Sequence, residues 1–328
     1  MPVIGVAGAS GGVGKAIVER LAQEPKYQVI AFSRKPSSNH LLPNVQSVQL
    51  NYDDVPSMTE TLAAFNVHTI ISAIVAVTEE TSQAQLNLID AAGASTKTER
   101  FIPSEFLFIQ PAAPPYLDPV VHIWIASIAR IKMNSLQYTR IVNGLFMDYW
   151  GMPHVSTSLI PHTFGINIAK REAVIPGDGN NIICLTLLRD MTNYLVKLLD
   201  IEEWPEFSVF VGDELSYNQM VKIAEEITGT KFKVTYDSVE NVNSGNVALP
   251  PMPSDTTYSA EEQKGITAQV AKLVNLNPFV SFMMSMNTSH IYLTTFCWGG
   301  DLSGDTPLGY LVLSPFLVLL PFLSVCVL

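Results

Sequence analysis

A glycine-rich turn that directly follows a short apolar run restricts the fold of this chain more than any other feature. The run VIGVA occupies residues 3–7, and an apolar stripe with a spacing of four (Val13, Ile17 and Leu21) follows. This order of strand, glycine turn and helix is typical of a dinucleotide-binding unit. The residues of the predicted phosphate-binding turn are Gly8, Ala9, Ser10, Gly11, Gly12, Val13 and Gly14.

The glycines have separate roles in such a turn. Gly8 permits the tight bend after the strand, Gly11 lets the backbone approach a pyrophosphate, and Gly14 allows close packing of the helix on the sheet. The helix N-terminus then offers free N–H groups and the positive end of its dipole to the phosphates. A tight turn without a ligand is the alternative, but turning alone does not need three glycines at this spacing.

The end of the second predicted strand indicates which dinucleotide would bind. A site for NAD needs an acidic residue there, about 20 residues after the turn, to bind the ribose 2′-hydroxyl. This chain instead has Arg34 and Lys35, and no carboxylate, after Phe32-Ser33. A guanidinium and an ammonium suit a 2′-phosphate, so the sequence predicts NADP(H). An exposed basic turn without a ligand is the alternative.

Strand-like and helix-like segments alternate along the first half of the chain, which is typical of a parallel sheet with crossover helices. The predicted fold class is therefore α/β, a Rossmann-type doubly wound parallel sheet. Further on, helices are predicted from an N-cap at Asp190 and from the capping box Ser216–Gln219 to Gly229. The predicted strands of the first half are Val3–Ala7, Gln28–Phe32, Val45–Leu50, Thr69–Ala73, Phe101–Pro103 and Thr139–Val142, and the predicted helices are Gly12–Gln23, Ser57–Phe65, Glu80–Ala94 and Ile123–Asn134.

Composition and charge exclude several classes of function. Of the 328 residues, 48% are apolar and 15% charged, so the chain can bury a large core. A net charge of −11 without any basic run argues against a nucleic-acid partner. The scattered Cys184, Cys297 and Cys326 cannot form a disulfide framework, and His154 and His162 lack neighbours at metal-ligand spacing, so no metal is expected. The first residues leave no room for a secretory signal, which predicts a cytoplasmic protein.

The chain resembles the NmrA-like and isoflavone-reductase-like branch of the atypical short-chain dehydrogenases, in its fungal form. The resemblance runs from about residue 2 to about residue 275, and its most specific carrier is the segment RFIPSEF at residues 100–106. The other carriers are the glycine turn, Arg34, NGLFMDY at 143–149, PGDG at 176–179 and the pair Thr186 and Asp190.

This resemblance implies an NADP-binding Rossmann domain at residues 1–152 and a smaller C-terminal α/β substrate-binding region at 153–275. It also implies an NADPH-dependent reductase of a small aromatic or other secondary metabolite, and it leaves homo-oligomerisation open. The branch includes proteins that bind the dinucleotide without turnover and act as redox-sensing regulators. A regulator of that type is the second interpretation, and a catalytically idle scaffold is the third.

The sequence offers one candidate catalytic group. No tyrosine has a lysine four residues later, so the proton relay of ordinary short-chain dehydrogenases is absent. The resemblance implies instead a lysine in the helix after residues 100–106, but that place holds Ile125, or Trp124 if the register slips. His122 lies one turn earlier on nearly the same helix face, and a histidine can protonate a developing alkoxide or enolate. His122 is therefore the candidate proton donor, and an exposed histidine near a loop end is the alternative.

Candidate pocket residues lie at the carboxyl ends of the predicted strands, where doubly wound folds place their sites. Ser104 and Glu105 follow the strand at 101–103. The aromatic residues Phe146, Tyr149 and Trp150 would wall a flat, apolar substrate pocket. Ordinary core positions are the alternative for the aromatic residues, and a structural carboxylate is the alternative for Glu105.

The C-terminal region at residues 276–328 differs in composition from the rest of the chain. No Lys or Arg follows Lys272, and residues 307–328 are uncharged and long enough to span a bilayer as a helix. Pro315 and Pro321 would interrupt such a helix. Three interpretations stay open: a membrane anchor on a cytosol-facing enzyme, a tail packed on the domain or a partner, and an incorrectly predicted 3′ end of the gene.

Overall fold

The computed structural model describes residues 1–35, 42–76, 78–108, 119–275 and 291–294. Its strands are β1 (Val3–Ala7), β2 (Gln28–Ser33), β3 (Val45–Gln49), β4 (Val67–Ser72), β5 (Arg100–Ile102), β6 (Gln137–Tyr138), β7 (Arg140–Val142), β8 (Leu145–Phe146), β9 (Ile166–Asn167), β10 (Glu172–Pro176), β11 (Ile182–Thr186), β12 (Phe207–Val211), β13 (Asp213–Ser216), β14 (Lys233–Asp237) and β15 (Ile291–Thr294). Its helices are α1 (Gly12–Leu21), α2 (Val55–Ala64), α3 (Glu79–Ala94), α4 (Pro119–Lys132), α5 (Asp148–Gly151), α6 (Leu188–Leu199), α7 (Tyr217–Thr228), α8 (Val239–Ser244) and α9 (Ala260–Asn275).

The central sheet is parallel throughout and has the strand order β3-β2-β1-β4-β5-β6. The chain runs outward from β1 to β3 and then returns to place β4 on the other side of β1. This reversal opens a crevice at the carboxyl ends of β1 and β4, where folds of this type bind their ligands. The predicted fold class, a Rossmann-type doubly wound sheet, is confirmed.

The sheet edge beyond β5 differs from the single strand predicted at Thr139–Val142. The structure has two short strands there, β6 and β7, on either side of Thr139, and β7 continues in parallel with β12 and β15. The buried Thr139 hydroxyl shares a hydrogen bond of 2.8 Å with the hydroxyl of Ser208 in β12. A buried side-chain hydrogen bond therefore joins the break between β6 and β7 to β12.

The C-terminal region contributes one described element, β15, which pairs with β12. Residues 291–294 therefore lie beside β12. The uncharged segment at 307–328 lies outside the described residues. Within the described part of the chain, no helix combines the length and apolar character needed to cross a bilayer.

Apolar side chains pack on both faces of the central sheet, because alternate residues of each strand point to opposite sides. On one face, Ile17 and Leu21 of α1 pack with Met191 and Leu195 of α6. The opposite face is covered by α2, α3 and α4. The helix α6 belongs to the second half of the sequence, yet it completes the core of the first half. The domain boundary at residue 152 stays a prediction.

A second layer of strands and helices follows the central sheet. The strand β10 lies between β9 and β14, and β11 lies between β8 and β13. Their apolar side chains form a separate core with α7 and α9, in which Phe164, Ile175, Tyr217 and Leu273 are buried. The chain enters this layer directly after β7, through β8 and α5.

Two of the three helix-end predictions agree with the structure. Ser216 and Gln219 form a capping box, and Gly229 ends α7 in the left-handed conformation with φ 63°. The predicted N-cap at Asp190 is wrong, because α6 begins at Leu188 and Asp190 lies in its first turn. The Leu188 N–H instead donates to Oδ2 of the buried Asp148 at 2.8 Å. A carboxylate from 40 residues earlier therefore satisfies this helix end.

Candidate functional site

The glycine turn lies at the carboxyl end of β1 and has no room for side chains at two of its positions. Gly8 has φ 75°, and a Cβ there would lie 2.5 Å from the Ala73 carbonyl oxygen. A Cβ on Gly14 would lie 2.2 Å from the Gly8 carbonyl oxygen. Both neighbours are packed backbone atoms, one directly after β4 and one in the turn itself, and cannot move aside. The geometry therefore requires glycine where the sequence has it.

The N-terminus of α1 provides an open binding surface for an anion. Its N-cap is Gly11, so no side chain accepts from the N–H groups of the first turn, and no acidic residue lies there. A Cβ on Gly11 would approach only the Gly8 carbonyl oxygen, at 3.4 Å, so the space outside Gly11 is open. Exposed Ser10 and partly buried Val13 flank this surface, while Ala9 is buried against the core. The residues present fit a dinucleotide pyrophosphate.

A segment far along the chain, at residues 158–159, packs against the same turn. The Ser158 hydroxyl donates to the Gly12 carbonyl oxygen at 2.6 Å. A Cβ on Gly12 would lie 2.9 Å from the Ser158 carbonyl oxygen and 3.1 Å from the Leu159 Cα. Gly12 therefore permits a close approach of two backbone segments. Sequence reasoning missed Ser158, because no local pattern relates it to a residue 146 positions earlier.

Arg34 and Lys35 lie just past β2, at the same edge of the sheet as the glycine turn. The Gln49 side chain donates to the Arg34 carbonyl oxygen at 3.0 Å, and the Ser33 hydroxyl donates to the Lys35 carbonyl oxygen. The backbone of this short turn is therefore held, while both basic side chains stay exposed. The Arg34 guanidinium lies 3.9 Å from the carboxylate of Glu80, which sequence reasoning did not include in the site.

A buried amide fixes the loop after β5. The Gln85 side chain, in α3, accepts from the Ser104 N–H and donates to the Ser127 hydroxyl, both at 2.9 Å. Ser127 lies in α4, so one side chain joins α3, α4 and the loop. Sequence reasoning also missed Gln85. The sequence feature that could have identified Gln85 is its place in the apolar stripe of α3, four positions before Ile89.

Glu105 is held by a buried ion pair. Nε of Arg140 donates to both carboxylate oxygens at 3.0 and 2.9 Å, and the guanidinium stacks 4.7 Å from the centre of the Phe207 ring. Burial raises the pKa of the Glu105 carboxyl, and the nearby Arg140 charge opposes that rise. The next residue, Phe106, has φ 40° and a buried ring. These contacts give Glu105 a structural partner and hold the loop in a conformation that a free chain rarely adopts.

The structure places His122 in the first turns of α4. The buried stripe of this helix contains Trp124, Ile128 and Ile131, and exposed His122 lies outside that stripe. Ile125 is half-buried. The residues where the resemblance implies a lysine are therefore packed apolar side chains. The role of His122 as proton donor stays a prediction.

The three predicted pocket aromatics lie close together but in different surroundings. Phe146 is buried in the core on the α1 face of the sheet. The half-buried Tyr149 packs its edge on Phe164 at 4.7 Å between ring centres, and Trp150 Nε1 donates to the Phe164 carbonyl oxygen at 3.1 Å. Burial raises the pKa of the Tyr149 hydroxyl. Tyr149 contacts the cores of both layers, so it lies at their junction.

His162 extends this aromatic cluster. Its ring lies 4.6 Å from Phe164 and 6.0 Å from Tyr258, and Nε2 is 3.1 Å from the Thr267 hydroxyl. Nδ1 is buried and has no hydrogen-bond partner, and burial lowers the pKa of the imidazole to about 4. His162 is therefore neutral at physiological pH. In the described ranges, no three His, Cys, Asp or Glu side chains are grouped as a metal site would require.

Comparison with known proteins gives matches over most of the chain. A family model described as NAD(P)H-binding matches residues 8–146. The oxidoreductase swnN of Metarhizium robertsii is 30% identical over 81% of this chain and 84% of its own length. The oxidoreductase BOA1 of Botryotinia fuckeliana is 34% identical over 70% and 77%, and the isoflavone reductase homolog A622 of Nicotiana glauca is 26% identical over 72% and 77%.

Solved structures share the fold. The complex of leucoanthocyanidin reductase from Vitis vinifera with NADPH superposes with a TM-score of 0.66 at 16% identity, covering 88% of this chain and 92% of that one. A structure described as AtPrR2 with NADP+ and (+)pinoresinol gives a TM-score of 0.64 at 18% identity, covering 88% and 90%.

Proposed function

This chain belongs to the isoflavone-reductase-like family of NAD(P)H-binding oxidoreductases, and from that membership we propose that it is an NADPH-dependent reductase of a small aromatic or other secondary metabolite. The observation that carries the proposal is the open anion-binding surface formed by Gly11 and the N-terminus of α1 beside the crevice between β1 and β4. A dinucleotide bound there supplies the hydride, and the chain binds and orients both reactants.

The preference for a 2′-phosphate rests on the turn after β2. Arg34 and Lys35 present two exposed cations on a backbone held by Gln49. A carboxylate in this place would accept hydrogen bonds from a ribose 2′-hydroxyl, whereas a guanidinium binds a phosphate by paired charge-assisted hydrogen bonds. The charge of this turn therefore favours NADPH over NADH.

We place the substrate at the junction of the two layers, close to the carboxyl ends of β5 and β7. Gln85 holds Ser104 just after β5, and Tyr149 lies where the cores of the two layers meet, with Trp150 next to it in the chain. Glu105 would act indirectly, because its carboxylate is engaged by Arg140 and orients the loop. One superposed structure holds (+)pinoresinol, an aromatic compound, together with NADP+, which supports an aromatic substrate here.

We further propose His122 as the proton donor, since it lies in α4 one turn before the place where the resemblance implies a lysine. Replacement by alanine is expected to lower kcat on the true substrate at least tenfold and to leave the Kd for NADPH unchanged. Unchanged turnover would show that this reaction needs no acid from His122, as reduction of an activated double bond or iminium would allow.

A non-catalytic, redox-sensing regulator is the second candidate. The observation that favours it is the packed, apolar character of Trp124 and Ile125, where the reductases of the branch would carry a lysine. A regulator would discriminate between oxidised and reduced cofactor, whereas a reductase needs tight binding of NADPH. Cofactor preference therefore separates the two candidates.

Calorimetric titration of the full chain with NADPH, NADP+, NADH and NAD+ tests the proposal. We expect NADPH to bind best and Arg34→Ala to weaken it about tenfold, because an exposed charge-assisted phosphate contact contributes about 1.5 kcal/mol. The control is Lys222→Ala, since Lys222 is equally exposed (77%) and lies 3.9 Å from Glu226, far along the chain in α7. Preference for oxidised cofactor, or indifference to the 2′-phosphate, would favour the regulator. Absence of binding would exclude both.

A further inference from the structure

An ion pair joins the two flanks of the strand that carries the glycine turn. Arg34 follows β2 and Glu80 lies in the first turn of α3, after β4, while β1 runs between β2 and β4. Their charged groups are 3.9 Å apart. The contact therefore lies at the carboxyl edge of the sheet, next to the crevice where the dinucleotide would lie.

The backbone is held at both ends of this ion pair. On one side, the Gln49 side chain donates to the Arg34 carbonyl oxygen. On the other side, Thr78 and Thr81 form a capping box that fixes the first turn of α3. Both charged side chains are largely exposed, at 77% for Arg34 and 85% for Glu80, so little packing restricts them. The pair can therefore open without any movement of the main chain.

We propose that Glu80 is a specificity-determining residue that competes with the 2′-phosphate of NADPH for Arg34. Binding of the phosphate requires Arg34 to exchange one anionic partner for another. NADH has a neutral hydroxyl in that place, so its binding leaves the ion pair intact. The competition therefore lowers the affinity for NADPH and leaves the affinity for NADH unchanged. The difference in affinity between the two cofactors becomes smaller. This inference rests on the proposed use of Arg34 for NADPH.

The size of the effect follows from the exposure of the pair. Exposed ion pairs of this kind are weak and are screened by salt. Their removal is expected to change the affinity of a competing anion by about two- to fivefold. Removal of the Glu80 carboxylate should therefore change the cofactor specificity measurably without a large change in the free energy of unfolding.

The test is titration of the full chain and its Glu80→Gln variant with NADPH and NADH at low and high salt. We expect Glu80→Gln to bind NADPH about two- to fivefold more tightly at low salt, with a smaller gain at high salt and no change for NADH. The matched control is Glu79→Gln, because Glu79 precedes it in the same helix turn, is also exposed, and forms no ion pair within the described chain. That control should bind both cofactors as the wild type does.

A double variant separates competition from a general effect of charge. In an Arg34→Ala background, Glu80→Gln should have no effect on NADPH binding, because the residue for which Glu80 competes is gone. An equal gain in that background, an equal gain for NADH or Glu79→Gln, or an unchanged or weaker affinity of Glu80→Gln for NADPH would overturn the inference. If Arg34→Ala alone leaves NADPH affinity unchanged, the proposed cofactor preference fails instead.

Discussion

At the scale of a single residue, the substitution Gly14→Ala tests whether the glycine turn binds phosphate. In Gly14→Ala the new Cβ would lie 2.2 Å from the Gly8 carbonyl oxygen, so the turn must shift away from its present shape. We expect NADPH affinity to fall at least tenfold and the free energy of unfolding to drop by about 1–3 kcal/mol. Calorimetry and urea unfolding measure the two effects.

The matched control is Gly265→Ala in α9. A Cβ there meets nothing within 4 Å. Since alanine has the higher helix propensity, this variant should be more stable by about 0.5–1 kcal/mol and should bind NADPH normally. Normal NADPH binding by Gly14→Ala would contradict the assigned role of the turn.

His162 makes stability depend on pH. Its pKa in the folded chain is about 4 against an ordinary value of 6.5, so below pH 6.5 the unfolded chain takes up a proton that the folded chain refuses. Stability is therefore expected to fall as the pH drops from 6.5 towards 4, by up to about 3 kcal/mol. Urea unfolding of the wild type and His162→Gln at pH 7 and 4.5 measures this dependence.

The variant His162→Gln should lose less stability across that interval, because it has no imidazole to protonate. His154→Gln, at an exposed position, should keep the wild-type dependence. Equal losses in the wild type and His162→Gln would assign the acid sensitivity to other groups.

At the scale of elements, β15 gives a prediction about the C-terminal region. It pairs in parallel with β12 from Ser208 to Val211, so its removal leaves backbone groups of β12 without partners along that edge. A chain that ends at residue 275 should be less stable by about 2 kcal/mol than one that ends at residue 300, and more prone to aggregate. Thermal unfolding of the two chains checks this, and equal midpoints would show that β15 contributes nothing.

The elements of the sheet were predictable because their signals are local. Short apolar runs between turn residues indicated β1 to β5, and Ser216 and Gln219 marked the start of α7 within four residues. The start of α6 was not predictable in this way. Its cap comes from Asp148, and the better-looking local candidate, Asp190, lies inside the helix.

For the whole molecule, the conformation of the glycine turn was predictable from the sequence, and the long-range contacts of the candidate site were not. The three glycines themselves determine the shape of the turn, so the tight bend at Gly8 and the close packing at Gly14 could be predicted before the fold was known. Ser158, Gln85 and Glu80 contact candidate site residues that are distant in the chain, and no periodicity links them to those residues. A single sequence contains no information on such pairs, because each residue is also compatible with an exposed loop or helix.

The position of α6 has a consequence for how the protein is made. Its apolar face, with Met191 and Leu195, closes the core above α1, although every strand of the central sheet has been synthesised about 50 residues earlier. On the ribosome, the apolar surface that α6 covers therefore stays exposed until residue 199 has emerged. Chaperones would meet this nascent chain at its exposed α1 face, and slow translation before α6 would lengthen that exposure.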